Sequence, residues 1–318
     1  MASRRSKKDD KKRQDAHVRA YKAERRRQKI KECRDYKTYE RKRRGEGKVK
    51  RIRIKQLAKL IRDTLPNATD TNVSRIVCVV DMTYRGHSYR RHVEYLDEHS
   101  GSVSMYGLKR VPSKSGLHGW AGELADDMEF VLGLLAGQAG DDARGTLLGD
   151  SSGFSIVKYE DWEDAKRGII SRREFNKLHI LVAPHGRIAT CAITAGRRHD
   201  SPVFREMYGR IPQGSGHTIL DAAYLCKANC KVIARSGRSP VICPRRNSRA
   251  KGLHPMGQML KWYESDRDGF DRAYHQRSLV ETAFSVIKER FGAVARAKTF
   301  RMRQLQLALK CVCYNLVA

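Results

Sequence analysis

Three acidic residues carry the clearest chemistry in this sequence. Asp150 closes one short apolar segment, Asp221 closes another, and Glu281 lies within a long amphipathic one. If the two apolar segments are strands, both aspartates stand at strand ends. The useful crevice of an open α/β sheet lies at the carboxyl ends of its parallel strands, so the two acids would lie side by side. A helix packed across that edge can supply the third. Three clustered carboxylates repel one another and need a compensating cation. Their hard oxygens suit Mg²⁺ or Mn²⁺, and such an ion suits chemistry at a phosphate.

The segment around Glu281 adds a geometric expectation. With Arg277 at zero and about 100° per residue, Tyr274 falls near 60°, Glu281 near 40° and Lys288 near 20°. The four share one narrow stripe if the helix reaches back to Tyr274. Val280, Ala283, Ile287 and Phe291 form the neighbouring apolar stripe, which would seat the helix on a sheet. An acid between cations suits a site where Arg277 and Lys288 hold phosphates on either side of a metal-bound one. The plainer reading is an Arg277–Glu281 pair one helical turn apart, worth a few tenths of a kcal/mol.

These residues need a scaffold, and the sequence predicts one. From residue 143 the pattern alternates strands and helices. Thr146–Leu148 runs into Asp150, and 177–183 and 187–194 flank a Pro184-His185-Gly186 turn as a hairpin. Asp200-Ser201-Pro202 begins a helix through about Tyr208. His217–Leu220 is a strand, 225–234 a helix closed by Gly237, and Pro240–Cys243 another strand. Arg245–Phe270 reads as irregular, and 277–291 is the clearest amphipathic helix. The order is three strands, helix, strand, helix, strand, helix. That is the layout of an RNase H-like α/β fold, a mixed sheet flanked by helices.

Residues 56–142 read as all-α. Leu57, Leu60 and Ile61 repeat at helical spacing, 74–80 and 89–96 follow, and Leu124, Met128, Val131, Leu132 and Leu135 read as one further run. Val111-Pro112-Ser113 reads as a turn and helix cap. Residues 1–55 are different: 25 Lys and Arg stand against 8 Asp and Glu, with no apolar stripe. They read as a basic arm, partly helical or disordered, that orders on nucleic acid. The expected organisation is therefore a basic arm 1–55, a helical region 56–142 and an α/β domain 143–318.

Charge sets the partner. The 318 residues carry 65 Lys and Arg against 35 Asp and Glu, a formal charge of +30. An excess of that size calls for a polyanion, and nucleic acid is the expected one. The apolar stretches fall far short of the roughly 18 residues of a membrane span, and no apolar segment follows the basic N-terminus as a secretory signal requires. Eight scattered cysteines, without the paired spacing of a zinc site, read as reduced thiols. His179, His199 and Trp262 are weaker candidates for the site or for DNA, and each has a structural reading that outweighs the functional one.

Tyr274, Arg277, Glu281 and Lys288 together match Y-x2-R-x3-E-x6-K, and in this the chain resembles DDE transposases of prokaryotic insertion sequences. Gly149-Asp150-Ser151-Ser152-Gly153-Phe154 resembles the first-Asp segment of that family, and Asp221-Ala222-Ala223-Tyr224 the second. Lys177-Leu178-His179, His199-Asp200-Ser201, Val111-Pro112-Ser113 and Cys313-Tyr314-Asn315-Leu316 add further similarity, over roughly residues 80–318. The separation of 60 positions from Asp221 to Glu281 leaves no room for the large β-insertion of some relatives. The resemblance implies metal-dependent cleavage at transposon ends and strand transfer into target DNA. Asp150, Asp221 and Glu281 would hold two Mg²⁺ or Mn²⁺ ions, and Tyr274, Arg277 and Lys288 would bind DNA. It further implies double-stranded DNA as partner, a homodimer on DNA, no membrane, and a cytoplasmic, nucleoid-associated location. A host nuclease or resolvase of the same fold, or a domesticated DNA-binding protein without turnover, would carry the same residues.

Overall fold

Leu57 and Ile61 are buried one turn apart on a helix at 54–64 (α1), which ends before Pro66 as the apolar spacing requires. The structure is a computed structural model that describes residues 54–156 and 175–318; the expected basic arm lies, but for its last two residues, outside them. Residues Gln56–Ala318 form one compact unit.

Short polar side chains start the next helices by accepting otherwise orphaned N–H groups. Thr69 caps Asp70–Tyr84 (α2), Ser88 caps Tyr89–Glu98 (α3), and Ser113 caps Lys114–Asp126 (α5). Between them, Ser100–Tyr106 (α4) was not expected from its Gly- and Ser-rich sequence; it closes on Gly107, whose φ of 79° suits glycine. The apolar run 124–135 is two helices rather than one. Asp127 ends α5 and accepts the N–H of Phe130 to start Met128–Ala139 (α6), a break that 3.6-residue periodicity conceals.

The sheet follows in strands Leu147–Ile156 (β1), Phe175–Val182 (β2), Ile188–Ala195 (β3), His217–Leu220 (β4), Ser239–Ile242 (β5) and Val294–Ala295 (β6). Among the described residues its order is β3-β2-β1-β4-β5, with β6 also on β1. β1, β2 and β3 pair antiparallel, and β1, β4 and β5 parallel. This mixed sheet bears out the RNase H-like expectation, with the helical region packed against it.

Helices Asp200–Tyr208 (α7) and Lys227–Arg235 (α8) fall where expected. Three elements correct the sequence reading. β1 does not stop at Leu148 but runs on to Ile156, because β2 pairs with it from Leu148↔Val182 to Ser155↔Phe175. Ser151-Ser152-Gly153 has low strand propensity, and the partner strand decides. The polar stretch 245–270 is irregular only at its start. Pro255–Ser265 (α9) and Arg267–His275 (α10) follow, begun by His254 and Asp266 as caps and held by buried Met259, Leu260 and Phe270. Finally, Ser278–Phe291 (α11), which carries Glu281, is not the last helix. Phe300–Asn315 (α12) succeeds it, buried on all sides from Leu307 to Asn315 between α2, α5, α6 and β3. A helix buried all round has no polar face to reveal its period.

α12 also carries a charge into the core. Lys310 is 3% exposed; its Nζ donates to the carbonyls of Gly292 at 2.6 Å and Val294 at 3.0 Å, over the Phe154 ring. It ties α12 to the segment that leads from the end of α11 into β6. Burial, with Arg296 nearby, pulls the ammonium down to about 8. The unfolded chain then binds more protons than the folded one between about pH 8 and the ordinary lysine value, so this group's contribution to stability rises with pH across that window. At about 1.4 kcal/mol per pH unit, the stability difference between wild type and Lys310→Met should shift by roughly 3 kcal/mol in favour of wild type. Urea midpoints of both proteins at pH 7 and pH 10.5 measure it; a constant difference would show that Lys310 keeps the ordinary lysine value inside the fold.

Candidate active site

Strand register brings the two aspartates together. β1 and β4 pair in parallel as Leu147↔Thr218, Leu148↔Ile219 and Gly149↔Leu220, so Asp150 and Asp221 are the next residues along two adjacent strands. β4 ends there. Asp221 becomes the cap of a short 3₁₀ turn, its carboxylate accepting the N–H of Ala222 at 2.6 Å. Asp150, expected at a strand end, sits within β1 but beyond the last pair with β4. On that edge β1 is next paired at Ser155↔Val294, which leaves 150–154 open between β4 and β6. Gly149 completes the floor: a Cβ there would stand within 2.8 Å of both Leu220 and Leu181, so only glycine lets the apolar layer close directly behind the acid.

The two-residue period of β1 turns Asp150, Ser152 and Phe154 to one face, towards α11. The Arg277 guanidinium donates to Asp150 at 2.8 Å through one nitrogen and to Glu281 through another. Lys288 Nζ donates to Ser152 Oγ at 2.7 Å and lies over the Phe154 ring. Val280, Ala283 and Ile287 are fully buried beneath, as the apolar stripe predicts. The two cations leave the helix roughly 16 Å apart, at about 1.5 Å per residue, yet reach two side chains of the same strand face. Their tips converge on β1.

Tyr274 departs from the expected stripe. α10 ends at His275, and Arg277 is the cap of α11 rather than a residue within it. The N–H groups of Gln276 and Arg277 bond back three residues, to Ala273 and Tyr274, which tightens the turn and breaks the helix. Tyr274 therefore reaches the site from a different helix. It stacks on Phe270, and its hydroxyl meets Cys243, the residue after β5 and thus beside Asp221. Burial pushes the phenol up to about 12.

Charge in this crevice is closely balanced. Burial pushes the Asp150 carboxyl above its ordinary value; the Ser151 N–H and Arg277 oppose the rise, and Asp221 adds to it. Burial alone would lower the Arg277 guanidinium, but Tyr274, Asp150, Glu281 and Asp221 around it raise it instead. The same four groups identify Arg277 as the centre of the cluster. Glu281 is the most open member, its side chain 57% exposed.

Two supporting groups were not singled out from the sequence. The buried Tyr224 phenol bonds Ser151 beside Asp150, and is pushed up first by burial and then by Asp200 and Asp150. Asp200 does not cap α7; it accepts from Lys177 Nζ at 2.7 Å and faces the His179 ring. Their signal was the Tyr three residues after Asp221 and the acid opening α7, both ordinary in isolation. Of the weaker candidates, His179 and Trp262 are held by contacts within the fold. His179 is buried, bonds Thr194 at 2.9 Å, and is drawn down to about 4 by burial. His199 is the residue before α7, and its side chain makes no cap bond. Trp262 stacks on His217, meets Phe270 edge-on and donates to Asp266. Every cysteine among the described residues is a free thiol, and no helix among them is long and apolar enough to cross a membrane.

Among the described residues, no three His, Cys, Asp or Glu side chains converge closely enough to enclose a metal ion. The donor set nevertheless fits a hard divalent cation in kind. It consists of carboxylate oxygens only, and the positive charge between Asp150 and Glu281 is supplied here by a guanidinium. No curated protein matches the chain significantly. A family model described as the transposase DDE domain matches residues 143–316, from just before β1 to the end of α12. That span holds the whole sheet, the paired aspartates and the helix laid over them, and the chain belongs to the transposase DDE domain family.

Proposed function

We propose that this protein cleaves DNA at transposon ends and joins the freed 3′ ends to target DNA. The observation that carries the proposal is the register of β1 and β4, which sets Asp150 beside Asp221 under a helix bearing Arg277 and Glu281. Asp150, Asp221 and Glu281 would hold two Mg²⁺ or Mn²⁺ ions. Bound there, divalent metal would supply an activated oxygen nucleophile and stabilise the leaving oxygen. The chain's own cations would do the positioning. Arg277 offers a planar fork suited to a phosphate, and Lys288 a compact charge farther along the same helix. Tyr274, from the preceding helix, closes the crevice on the Asp221 side. No covalent protein intermediate is required.

The remaining parts follow from charge and order. The arm 1–55, with 17 more cations than acids, and the helical region 56–142 would hold the ends, ahead of the catalytic domain 143–318. Bringing two ends together would call for at least a homodimer on DNA, and the reaction would take place at the nucleoid.

The test uses the full chain, Mg²⁺ and a labelled duplex of the DNA bordering the reading frame, with supercoiled plasmid as target. Cleavage to a 3′-OH followed by joining to the plasmid is the expected result. Cleavage without joining would assign the chain to host nucleases or resolvases. Binding without either would make it a DNA-binding protein without turnover.

A further inference from the structure

Between β5 and α9 lies a loop that the catalytic reading leaves unused. Residues 243–254 read Cys-Pro-Arg-Arg-Asn-Ser-Arg-Ala-Lys-Gly-Leu-His, with four cations and no acid. Among the described residues, none of Arg245, Arg246, Arg249 and Lys251 is paired with a carboxylate, and all four are exposed. The loop starts next to the site: β4 and β5 pair in parallel up to Leu220↔Ile242, so Cys243 flanks Asp221. Arg245 Nε donates to the carbonyl of Ala222, the residue after that acid.

The far end of the loop is held firmly. His254 caps α9 through the N–H of Gly257, and Pro255 opens the helix. A Cβ on Gly257 would collide with the carbonyls of Lys251 and Gly252, so the loop backbone lies directly on the first turn of the helix. Gly252 takes φ 71°, and the reversal it makes carries Leu253 outwards. Leu253 is 79% exposed, about twice the exposure of any other large apolar side chain that stands exposed among the described residues. Among the described residues, a leucine held in solvent by a braced turn, within a run of cations without carboxylate partners, has no packing use.

We propose that this loop is a second DNA contact, in which Leu253 wedges between base pairs beside the cut while Arg245, Arg246 and Arg249 hold the adjoining phosphates. The inference rests on the DNA-cleaving reading for its ligand. Its physical basis is separate: apolar side chains set among cations are the means by which proteins unstack a base step and keep it open. The charge also selects the partner, because a polyanion neutralises the loop whereas an apolar protein surface would leave four cations desolvated.

The experiment places 2-aminopurine at each position around the junction, in a duplex of the bordering DNA, and adds full-length protein. An Asp150→Asn background keeps the duplex intact. Binding should raise the fluorescence at one or two positions next to the cut. Leu253→Ser should abolish the rise with an almost unchanged melting temperature, since the side chain is 79% exposed, and Leu253→Met should retain it. With Asp150 restored, Leu253→Ser should slow cleavage of paired DNA by about tenfold and cut a duplex mismatched at that step normally, because the wedge then has no stacking to overcome. Changing Arg245, Arg246 and Arg249 to Ser should flatten the salt dependence of binding by about two to three released counterions. No rise with Leu253 present, or an equal rise with Leu253→Ser, overturns the wedge whether or not the DNA is cut. A rise that depends on Leu253 in a protein that never cleaves supports the wedge and overturns the catalytic reading instead.

Discussion

Asp150→Asn, Asp221→Asn and Glu281→Gln should each reduce end cleavage at least about 10³-fold, some 4 kcal/mol of transition-state stabilisation, while DNA affinity stays within about twofold. Each change removes one negative charge from the cluster and almost no volume, so the fold should persist. The stability of the three proteins separates a catalytic role from a structural one. Burial raises the Asp150 carboxyl, so the folded state favours its protonated form more than the unfolded state does. By linkage its ionisation costs stability as pH rises above the ordinary aspartate value. Asp150→Asn should therefore melt at the wild-type temperature or above it at pH 7. Glu281, more than half exposed, should change melting little. A site kept at some expense to stability is what function demands and packing does not. Single-turnover cleavage and thermal melting of the same preparations provide both readings. Near wild-type cleavage in any of the three would remove that residue from the site.

Arg277→Ala should slow cleavage about 100-fold, Arg277→Lys about tenfold, with the loss in the chemical step rather than in binding. The guanidinium meets both Asp150 and Glu281, and it stands in the field of Asp221 as well. Without it, Asp150 and Asp221 face each other beside a buried strand, with the nearest cation removed. A lysine restores the charge but not the planar fork or the full reach, so it holds the two acids less well. If Arg277 and Glu281 were only a surface pair on one helix, the expectation is opposite: normal cleavage and a helix weaker by a few tenths of a kcal/mol. Lys288→Ala extends the comparison, since that ammonium touches β1 two residues beyond Asp150 and no acid. Normal cleavage in both variants would sink the role of this helix face in catalysis.

What could be read in the sequence was local. Val280, Ala283 and Ile287 repeat at helical spacing and do lie buried under α11. The alternation around Pro184-His185-Gly186 does form a hairpin, β2 and β3. The cap Ser113 starts the helix that its side chain favours, because a side-chain oxygen near an orphan N–H acts over three residues. Asp150 and Asp221 were legible as neighbours because a parallel pairing of two short apolar strands sets both next residues at one edge.

Tertiary structure decided the rest, wherever the deciding partner is far away in the chain. Ser151-Ser152-Gly153 is strand because β2 pairs with it, and its own residues favour a turn. α12 shows no period because neighbours cover it on every side. The helix break at Gln276 moved Tyr274 off the predicted stripe, since two i−3 hydrogen bonds override a periodicity that counts residues only. Most of all, spacing placed Arg277 and Glu281 on one helix face and so suggested a pair. That Arg277 also holds Asp150, 127 residues earlier, follows from packing α11 across β1. Sequence determines which side chains share a face, because backbone geometry is local; which charges meet is settled by how the faces pack, because Coulomb interactions depend on distance through space.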